Sequence, residues 1–291
     1  MSERNAFLGF LPIATVIAAL LFTWYAAAIP MNRVVAETRI AAVGGGLVNT
    51  LAVSWSLDRP VLPAPHQVLI GFFNTTFLAD PTTPKSLIYH GWVTLSSTLL
   101  GFAMGVVLGT LLAIAIVHLR TLQKSLLPWI IASQTIPILA IAPMIIVVLG
   151  SLGLTGLLPK SIISMYLCFF PVTIGMVKGL TSPETMQLDL MLTYNASTPQ
   201  TLEKLRFPAS LPFLFTSLKV AISIALVGAI VGELPTGAQA GIGARLLTGS
   251  YYGQTVQIWA ALLAAALMAG GLVAAVGLAE KATNRLMGAR P

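Results

Sequence analysis

Charged residues are scarce in this chain, and their scarcity argues against a soluble domain. Only 9% of the 291 residues are charged, whereas 56% are hydrophobic. Long apolar runs separated by short polar stretches are typical of a helical protein that crosses a membrane several times. Because each crossing takes about 20 residues, the chain has room for about six spans plus loops. The predicted fold class is an all-α polytopic membrane protein with about six transmembrane helices.

Residues in catalytic patterns are missing too. No lysine follows a glycine, so the G-K-[ST] end of a phosphate-binding loop is absent, and we expect no ATP hydrolysis by this chain alone. The three histidines have no metal-ligand spacing, and there is no G-x-S-x-G nucleophile motif. The single cysteine, Cys168, excludes an intrachain disulfide. We therefore expect no catalytic residue, no metal and no cofactor.

The net charge of +7 does not indicate a nucleic-acid partner, because Lys and Arg are scattered over loops and span ends. Anchoring in the lipid bilayer explains them better. Proton- or sodium-driven carriers usually hold acidic groups at mid-membrane depth. Such groups are absent here, which favours an energy source on another subunit. A secondary carrier or channel without an ATPase is the alternative, and a non-transporting membrane scaffold is a third class.

The apolar runs divide the chain into an N-terminal part, residues 1–86, with one span and a periplasmic segment, and a five-helix core, residues 87–291. Residues 31–86 carry many charges and prolines, so we place them outside the membrane. Residues 40–57 are apolar enough for an additional membrane segment, but glycines and Asn49 disfavour insertion. The predicted spans cover about residues 7–29, 88–117, 127–149, 161–180, 214–233 and 258–278.

Positive charge sets the expected orientation. Placing Arg4, residues 118–124 and the polar stretch 182–212 on one side of the membrane, together with the chain end after Lys281, collects most of the Lys and Arg there. Cytoplasmic loops carry the excess of these residues. Both termini and residues 182–212 are therefore expected in the cytoplasm.

The stretch 182–212 has the pattern of two short helices joined by a turn. Ser182 is a suitable N-cap, with Pro183 and Glu184 in the first turn. Asn195 tolerates a left-handed conformation that ends a helix. Ser197 and Gln200 form a second cap in the capping-box spacing. The second helix is expected to end at about Phe207, before Pro208.

The amino-acid pattern of this stretch resembles that of the cytoplasmic loop of binding-protein-dependent ABC importer permeases, which is E-A-A, three residues, G, and later L-P. Here Asp189-Leu190-Met191 is followed by Asn195 and later by Leu211-Pro212. Asp replaces Glu and Asn replaces Gly, which keeps a carboxylate and access to positive φ. The flanking sequence is similar to the nitrate/sulfonate/taurine-type branch, over about residues 62–280.

The resemblance implies a type I permease that works with an ATP-binding cassette ATPase subunit, a periplasmic substrate-binding protein and a second permease copy or paralogue in the bacterial inner membrane. Residues 182–212 then form a cytoplasmic coupling-helix loop. Its surface is assigned to Glu184, Asp189, Asn195, Ser197, Gln200, Lys204 and Arg206, with Pro208 and Pro212 ending it.

Candidates for the solute pathway lie within and at the ends of the spans. Prolines and glycines let helices bend and approach one another. Glu233 ends an apolar helix, where it lines the outer mouth of the path or else pairs with a loop or snorkels. Gly241-Ile242-Gly243 downstream favours a turn with close backbone approach. The pathway candidates are Pro137, Pro143, Pro171, Gly228, Gly232 and Glu233. Nitrate, alkanesulfonates, taurine, pyrimidines and flavins are the candidate solutes by resemblance, with a preference for pyrimidine-like compounds.

Overall fold

A computed structural model of the chain describes residues 2–43, 46–235 and 239–287. All regular secondary structure within these ranges is helical. Two π-helical turns, Asn74–Leu78 and Leu202–Arg206, directly follow α3 and α9. The helices are α1 (Ser2–Val43), α2 (Leu47–Trp55), α3 (Pro65–Phe73), α4 (Leu87–His118), α5 (Arg120–Ser133), α6 (Ile138–Ser151), α7 (Leu157–Leu180), α8 (Thr185–Thr193), α9 (Thr198–Thr201), α10 (Phe207–Gly232), α11 (Ile242–Tyr251) and α12 (Thr255–Leu286).

The predicted fold class is confirmed by the length and composition of these helices. Five are long and apolar enough to cross a membrane, and the bent pair formed by α5 and α6 adds a sixth if it makes one span. The five spans are Pro12–Glu37, Leu87–His118, Leu157–Leu180, Thr198–Gly232 and Thr255–Leu286.

The N-terminal helix is longer than predicted. We expected its span to end near residue 29, but α1 continues through Pro30 to Val43. The buried Asn32 side chain holds this part of α1 against the segment that follows it. Its amide donates to the Ser54 and Leu62 carbonyls and accepts the N–H groups of Val61 and Leu62. Within residues 40–57, of which 44 and 45 lie outside the described residues, α2 has nine residues and is too short to cross.

The predicted third span is two helices. Thr121–Ser133 and Ile138–Ser151 meet at an angle of 98°. Pro137 is the N-cap of α6, and proline disfavours helical backbone at the residue before it. The helical hydrogen bonding therefore stops before Pro137 and starts again in α6, instead of being interrupted within one continuous helix. We expected one interrupted span over residues 127–149; the bend makes this segment either a broken span or a re-entrant pair.

Two compact units make up the chain. The first comprises Met1–Ile88 and Arg245–Ala264, and the second comprises Tyr89–Ala244 and Ala265–Pro291. Residues 245–264 thus group with the N-terminal part by contacts, whereas we had assigned them to the core. The division at residue 86 into a periplasmic segment and a permease core stays a prediction.

Within the second unit, α4, α7 and α10 pack through small residues. Gly101, Gly105 and Gly109 of α4 contact α7 at Ser164, Cys168 and Val172, in parallel order. On the other side of α7, Gly175 and Gly179 meet Ser217 and Ser210 of α10, in antiparallel order. A Cβ at any of these glycines would overlap the neighbouring helix, so the three helices are held at close range.

The interior between these helices is apolar. Seven fully buried residues of α4, α7 and α10 form one hydrophobic cluster. Helix α7 contributes four of these residues, more than either of the other two helices. The cluster comprises Ala113, Cys168, Val172, Met176, Leu180, Ala221 and Ala225.

Candidate functional site

The first candidate site is the pair of short helices between α7 and α10. We call residues 184–206 the coupling segment. Its first helix, α8, starts two residues later than predicted: Glu184 is the N-cap, and its N–H donates to the Gln187 side chain at 3.1 Å. Ser182 instead donates its hydroxyl to the Gly179 carbonyl at the end of α7, 2.7 Å away. The predicted N-cap at Ser182 is therefore wrong.

Asn195 makes the turn that the sequence predicted. Its φ is 52°, the only positive φ of a non-glycine residue among the described residues. The Ala196 N–H donates to the Met191 carbonyl at 3.0 Å, and the Asn195 N–H donates to Leu192 at 2.9 Å. These two bonds are those of a Schellman motif, which closes a helix end. The next helix begins as predicted at Ser197, whose N–H donates to the Gln200 side chain at 2.8 Å.

The second helix of the segment does not end at Pro208 or Pro212, so that prediction is wrong. The π-helical turn Leu202–Arg206 leads directly into α10, and residues 198–232 form one long span. The Phe207 N–H reaches back to the Leu202 carbonyl. The backbone changes to the wider π-helical hydrogen bonding just before Pro208. Pro208, which has no N–H, therefore lies in the first turn of α10, where proline is tolerated.

The coupling segment is bonded to the end of α7 and exposes apolar side chains. The Arg206 guanidinium donates to the Leu180 carbonyl at 2.8 Å, which ties the segment to the end of α7. Outside the spans, Met186, Leu190, Leu192 and Tyr194 are each more than half exposed. Glu184, Asp189, Ser197, Gln200 and Lys204 are exposed around them. An apolar surface with a polar rim on a fixed support is typical of a protein contact.

A second candidate site lies at the opposite end of the same helices. Glu233, which follows α10, is completely buried. Its carboxylate accepts hydrogen bonds from the Thr94 hydroxyl at 2.9 and 3.0 Å and from the Gly243 N–H at 2.9 Å. The Lys160 ammonium lies 3.7 Å from the carboxylate and donates to the Ala240 carbonyl at 3.0 Å.

Polar side chains of α4 complete this cluster. Thr94 accepts the Ile242 N–H at 2.8 Å, and His90 Nδ1 accepts the Gly241 N–H at 3.0 Å. Gly241 has a φ of 126°, and a Cβ there would collide with the Glu233 carboxyl group. The predicted close-approach turn at Gly241-Ile242-Gly243 is confirmed. We call Thr94, Lys160, Glu233 and residues 240–243 the carboxylate clamp, because they join α4, α7 and α10 to one loop.

The clamp changes the interpretation of Glu233. A fully buried carboxylate with three kinds of partner is paired with a loop and does not snorkel. Sequence reasoning missed His90, Thr94 and Lys160. The spacing of His90 and Thr94, which places both on one helix face, is a signal that could have indicated these two residues. Their binding partners could not be predicted, because these lie about 140 positions further along the chain.

The remaining pathway candidates fall into two groups. Gly228 and Gly232 face α7 and approach Ser164 and Lys160, so they permit close helix packing beside the clamp. Pro171 lies inside α7. Pro137 is the N-cap of α6, Pro143 lies inside that helix, and both are exposed. The structure therefore brings Gly228, Gly232 and Glu233 together.

Comparisons with known proteins agree with this architecture. The family described as “binding-protein-dependent transport system inner membrane component” matches residues 105–288. A probable ABC transporter permease protein of Haemophilus influenzae is 32% identical over 75% of this chain and 86% of its own length.

Two further relatives have names that include a solute. The formylaminopyrimidine transport permease protein ThiX of Halalkalibacterium halodurans is 31% identical over 66% of this chain and 75% of its own. The riboflavin transport system permease protein RibX of Chloroflexus aurantiacus is 31% identical over 76% and 78%. By the extent of the family match and these identities, the chain belongs to the binding-protein-dependent transport system inner membrane components, the permease subunits of ABC importers.

Proposed function

We propose that this permease imports a flat, pyrimidine-like heteroaromatic solute and that its coupling segment receives the force of a partner ATPase. Permeases of this family work together with ATPases and substrate-binding proteins. In this permease, the ATPase binds at the coupling segment in the cytoplasm, and a periplasmic binding protein binds at the outer face of a pair of permeases in the bacterial inner membrane.

The observation that carries the coupling role is the fixed, exposed surface of the segment. Exposed Met186, Leu190 and Tyr194, at i, i+4 and i+8, offer an apolar ridge that fits a groove on a partner, in the helix-in-groove manner of recognition. Glu184, Asp189, Ser197, Gln200 and Lys204 provide its polar rim. The energy of ATP hydrolysis then enters the permease through this contact, since the chain itself has no phosphate-binding loop.

Rigid attachment explains how a push at this surface reaches the membrane. Arg206 is bonded to the end of α7, and Gly179 of α7 lies against Ser210 of α10, whose Cα would be 2.8 Å from an added Cβ. A displacement of the segment therefore moves α7 and α10 together instead of bending the loop. Packed helices that shift as rigid bodies are a common switching device in proteins.

The orientation follows from charge and from helix direction. The ends of α4 and α7 and the start of α10 adjoin the coupling segment, and His118, Lys124, Lys178, Lys204 and Arg206 lie near that side. The positive-inside rule makes it cytoplasmic. The carboxylate clamp, at the opposite ends of these helices, is then on the periplasmic side, and both chain termini are cytoplasmic.

The solute class is supported by the relatives. The two at 31% identity carry the names of a formylaminopyrimidine and a riboflavin transporter, and both solutes are flat nitrogen heterocycles. Nitrate, alkanesulfonates and taurine are the competing solutes from the branch resemblance.

The test is reconstitution with the ATPase and binding protein encoded with this permease. In proteoliposomes, ATP-dependent uptake of 4-aminopyrimidine and riboflavin is measured beside uptake of nitrate and methanesulfonate. We expect uptake of at least one heterocycle. Uptake of the anions alone would contradict the solute class, and uptake without an ATPase would support a secondary carrier.

A further inference from the structure

Helix α4 presents two different faces near the carboxylate clamp. His90 and Thr94 point inward and bind the loop of the clamp. Tyr89, Trp92, Val93 and Ser96, at i, i+3, i+4 and i+7, follow another face of the helix and line a cavity. The clamp thus fixes the rotation of α4, and that rotation decides which side chains reach the cavity.

The cavity has the size of a small-molecule site. Its volume is about 750 Å³, within the range of about 300–1,000 Å³ that ligand sites occupy. Its other walls come from α6, from the start of α7 and from residues after α10. Two aromatic rings, Tyr89 and Trp92, occur beside a few polar groups from Ser96, Lys160 and Gln239. Apolar walls with few convergent polar groups are usual in such sites.

The electrostatics of the cavity discriminate between solute classes. Lys160 is the only charged residue among the described residues that line it. Its charge is balanced by Glu233, 3.7 Å away. An incoming anion therefore meets no net positive charge, and the arrangement gives nitrate or a sulfonate little to replace its hydration.

A flat heterocycle fits the same groups. Trp92 is 70% exposed, so its ring face is accessible to a planar ring. The Lys160 ammonium has three N–H donors, one of which bonds to the Ala240 carbonyl, while Glu233 at 3.7 Å is its ion-pair partner. A ring nitrogen or carbonyl of the solute can accept another. The Gln239 amide adds a donor and an acceptor.

From this placement we infer that the cavity beside the clamp is the receiving site for solute on the permease. It binds a flat, uncharged nitrogen heterocycle by stacking on Trp92 and by a hydrogen bond from Lys160. This inference rests on the proposed function, because it takes the heterocycle as the transported solute.

The experiment uses the permease with its ATPase in nanodiscs, without the binding protein. Affinity for 4-aminopyrimidine and for riboflavin is measured by equilibrium dialysis, and the Michaelis constant for uptake is measured in proteoliposomes with the complete system. The variants are Trp92→Leu, Trp92→Tyr and Ser96→Phe. Trp129→Leu is the matched control, because Trp129 is 75% exposed on α5 and does not line the cavity.

We expect wild type to bind at least one heterocycle and neither nitrate nor methanesulfonate. Loss of a stacking partner weakens binding and raises the Michaelis constant about tenfold in Trp92→Leu. Trp92→Tyr retains most of the affinity, Ser96→Phe obstructs the cavity and abolishes binding, and Trp129→Leu behaves as wild type. ATPase co-purification is unchanged in all four variants.

Unchanged affinity and Michaelis constant in Trp92→Leu and Ser96→Phe would overturn the inference and make Trp92 an interfacial anchor, the ordinary role of tryptophan near a span end. Failure of wild type to bind a heterocycle that the complete system imports would also overturn it, while the proposed function would stand. Import of the anions alone would instead contradict the proposed function.

Discussion

Thr94 and Glu233 are 139 positions apart in the chain, and the hydroxyl of one donates to the buried carboxylate of the other. The same hydroxyl oxygen accepts the Ile242 N–H. Thr94 is therefore the central residue between α4, the end of α10 and the loop that follows. Two substitutions separate its hydrogen bonds from its packing.

Thr94→Val keeps the shape of the side chain but leaves a buried carboxylate and a buried N–H with one partner fewer. We expect a loss of about 1–3 kcal/mol in stability and reduced uptake. Thr94→Ser retains the hydroxyl and should stay within about 1 kcal/mol of wild type. Thermal unfolding in detergent and uptake in proteoliposomes measure both effects. Ser97→Ala is the control, because the Ser97 hydroxyl bonds only to carbonyls of its own helix among the contacts described. Equal stability of Val and Ser variants would contradict the central role of Thr94.

Lys160 and Glu233 form a pair whose members should not be removed singly. Lys160→Met leaves the buried carboxylate without its cation, and breaking a buried pair in this way costs about 3–5 kcal/mol. We expect Glu233→Gln to lower transport while ATPase binding is retained. The double variant should be more stable than Lys160→Met alone, since it buries no unpaired charge. Unfolding of the single and double variants measures the coupling, and purely additive effects would show that the pair does not interact.

Gly228 and Gly270 are both helical but have different surroundings. A Cβ at Gly228 would lie 2.8 Å from the Ser164 Cα, whereas a Cβ at Gly270 would meet nothing within 4 Å. Gly228→Ala should push α10 from α7 and lower the unfolding temperature. Gly270→Ala should be neutral or stabilising by up to about 1 kcal/mol, the difference in helix propensity. Similar effects at both positions would show that α7 and α10 do not depend on this close contact.

Asn195 tests the coupling segment. A β-branched residue at positive φ carries about 1–3 kcal/mol of strain, so Asn195→Val should distort the Schellman turn and displace the ridge of α8. Asn195→Gly should be tolerated. Asp189→Lys reverses a charge on the rim and should weaken docking. ATPase co-purification and solute-stimulated ATP hydrolysis are compared across the variants. Full ATPase content and full stimulation in the Val and Lys variants would remove the segment from the coupling mechanism.

Topology is tested by cysteine labelling in a Cys168→Ser background. Asn49→Cys should react with an impermeant thiol reagent from the periplasmic side. Asn5→Cys and Asn284→Cys should react only from the cytoplasm. Labelling of the two termini from opposite sides would show that the six-span topology is wrong.

Local signals of the sequence account for much of the coupling segment. Asn195, Ser197 and Gln200 were predicted correctly because turns and caps depend on neighbours within a few residues. The failures there have local causes as well. Glu184 rather than Ser182 caps α8, and a π-helical turn carries the helix through Pro208, where an α-helical ladder would have needed an N–H.

The helical membrane class could be predicted from the sequence, because hydrophobic length is read along one chain segment at a time. The family followed from the resemblance of residues 182–212 to a known cytoplasmic loop, which is also a local pattern. The surroundings of Glu233, in contrast, follow from the packing of distant segments. A carboxylate at a span end is equally compatible with a pore, with snorkelling or with a buried pair. The choice depends on Thr94, Lys160 and Gly243, which lie on three different segments and meet only when α4, α7 and α10 pack. The cavity beside them has the same origin, since its walls come from four separate parts of the chain.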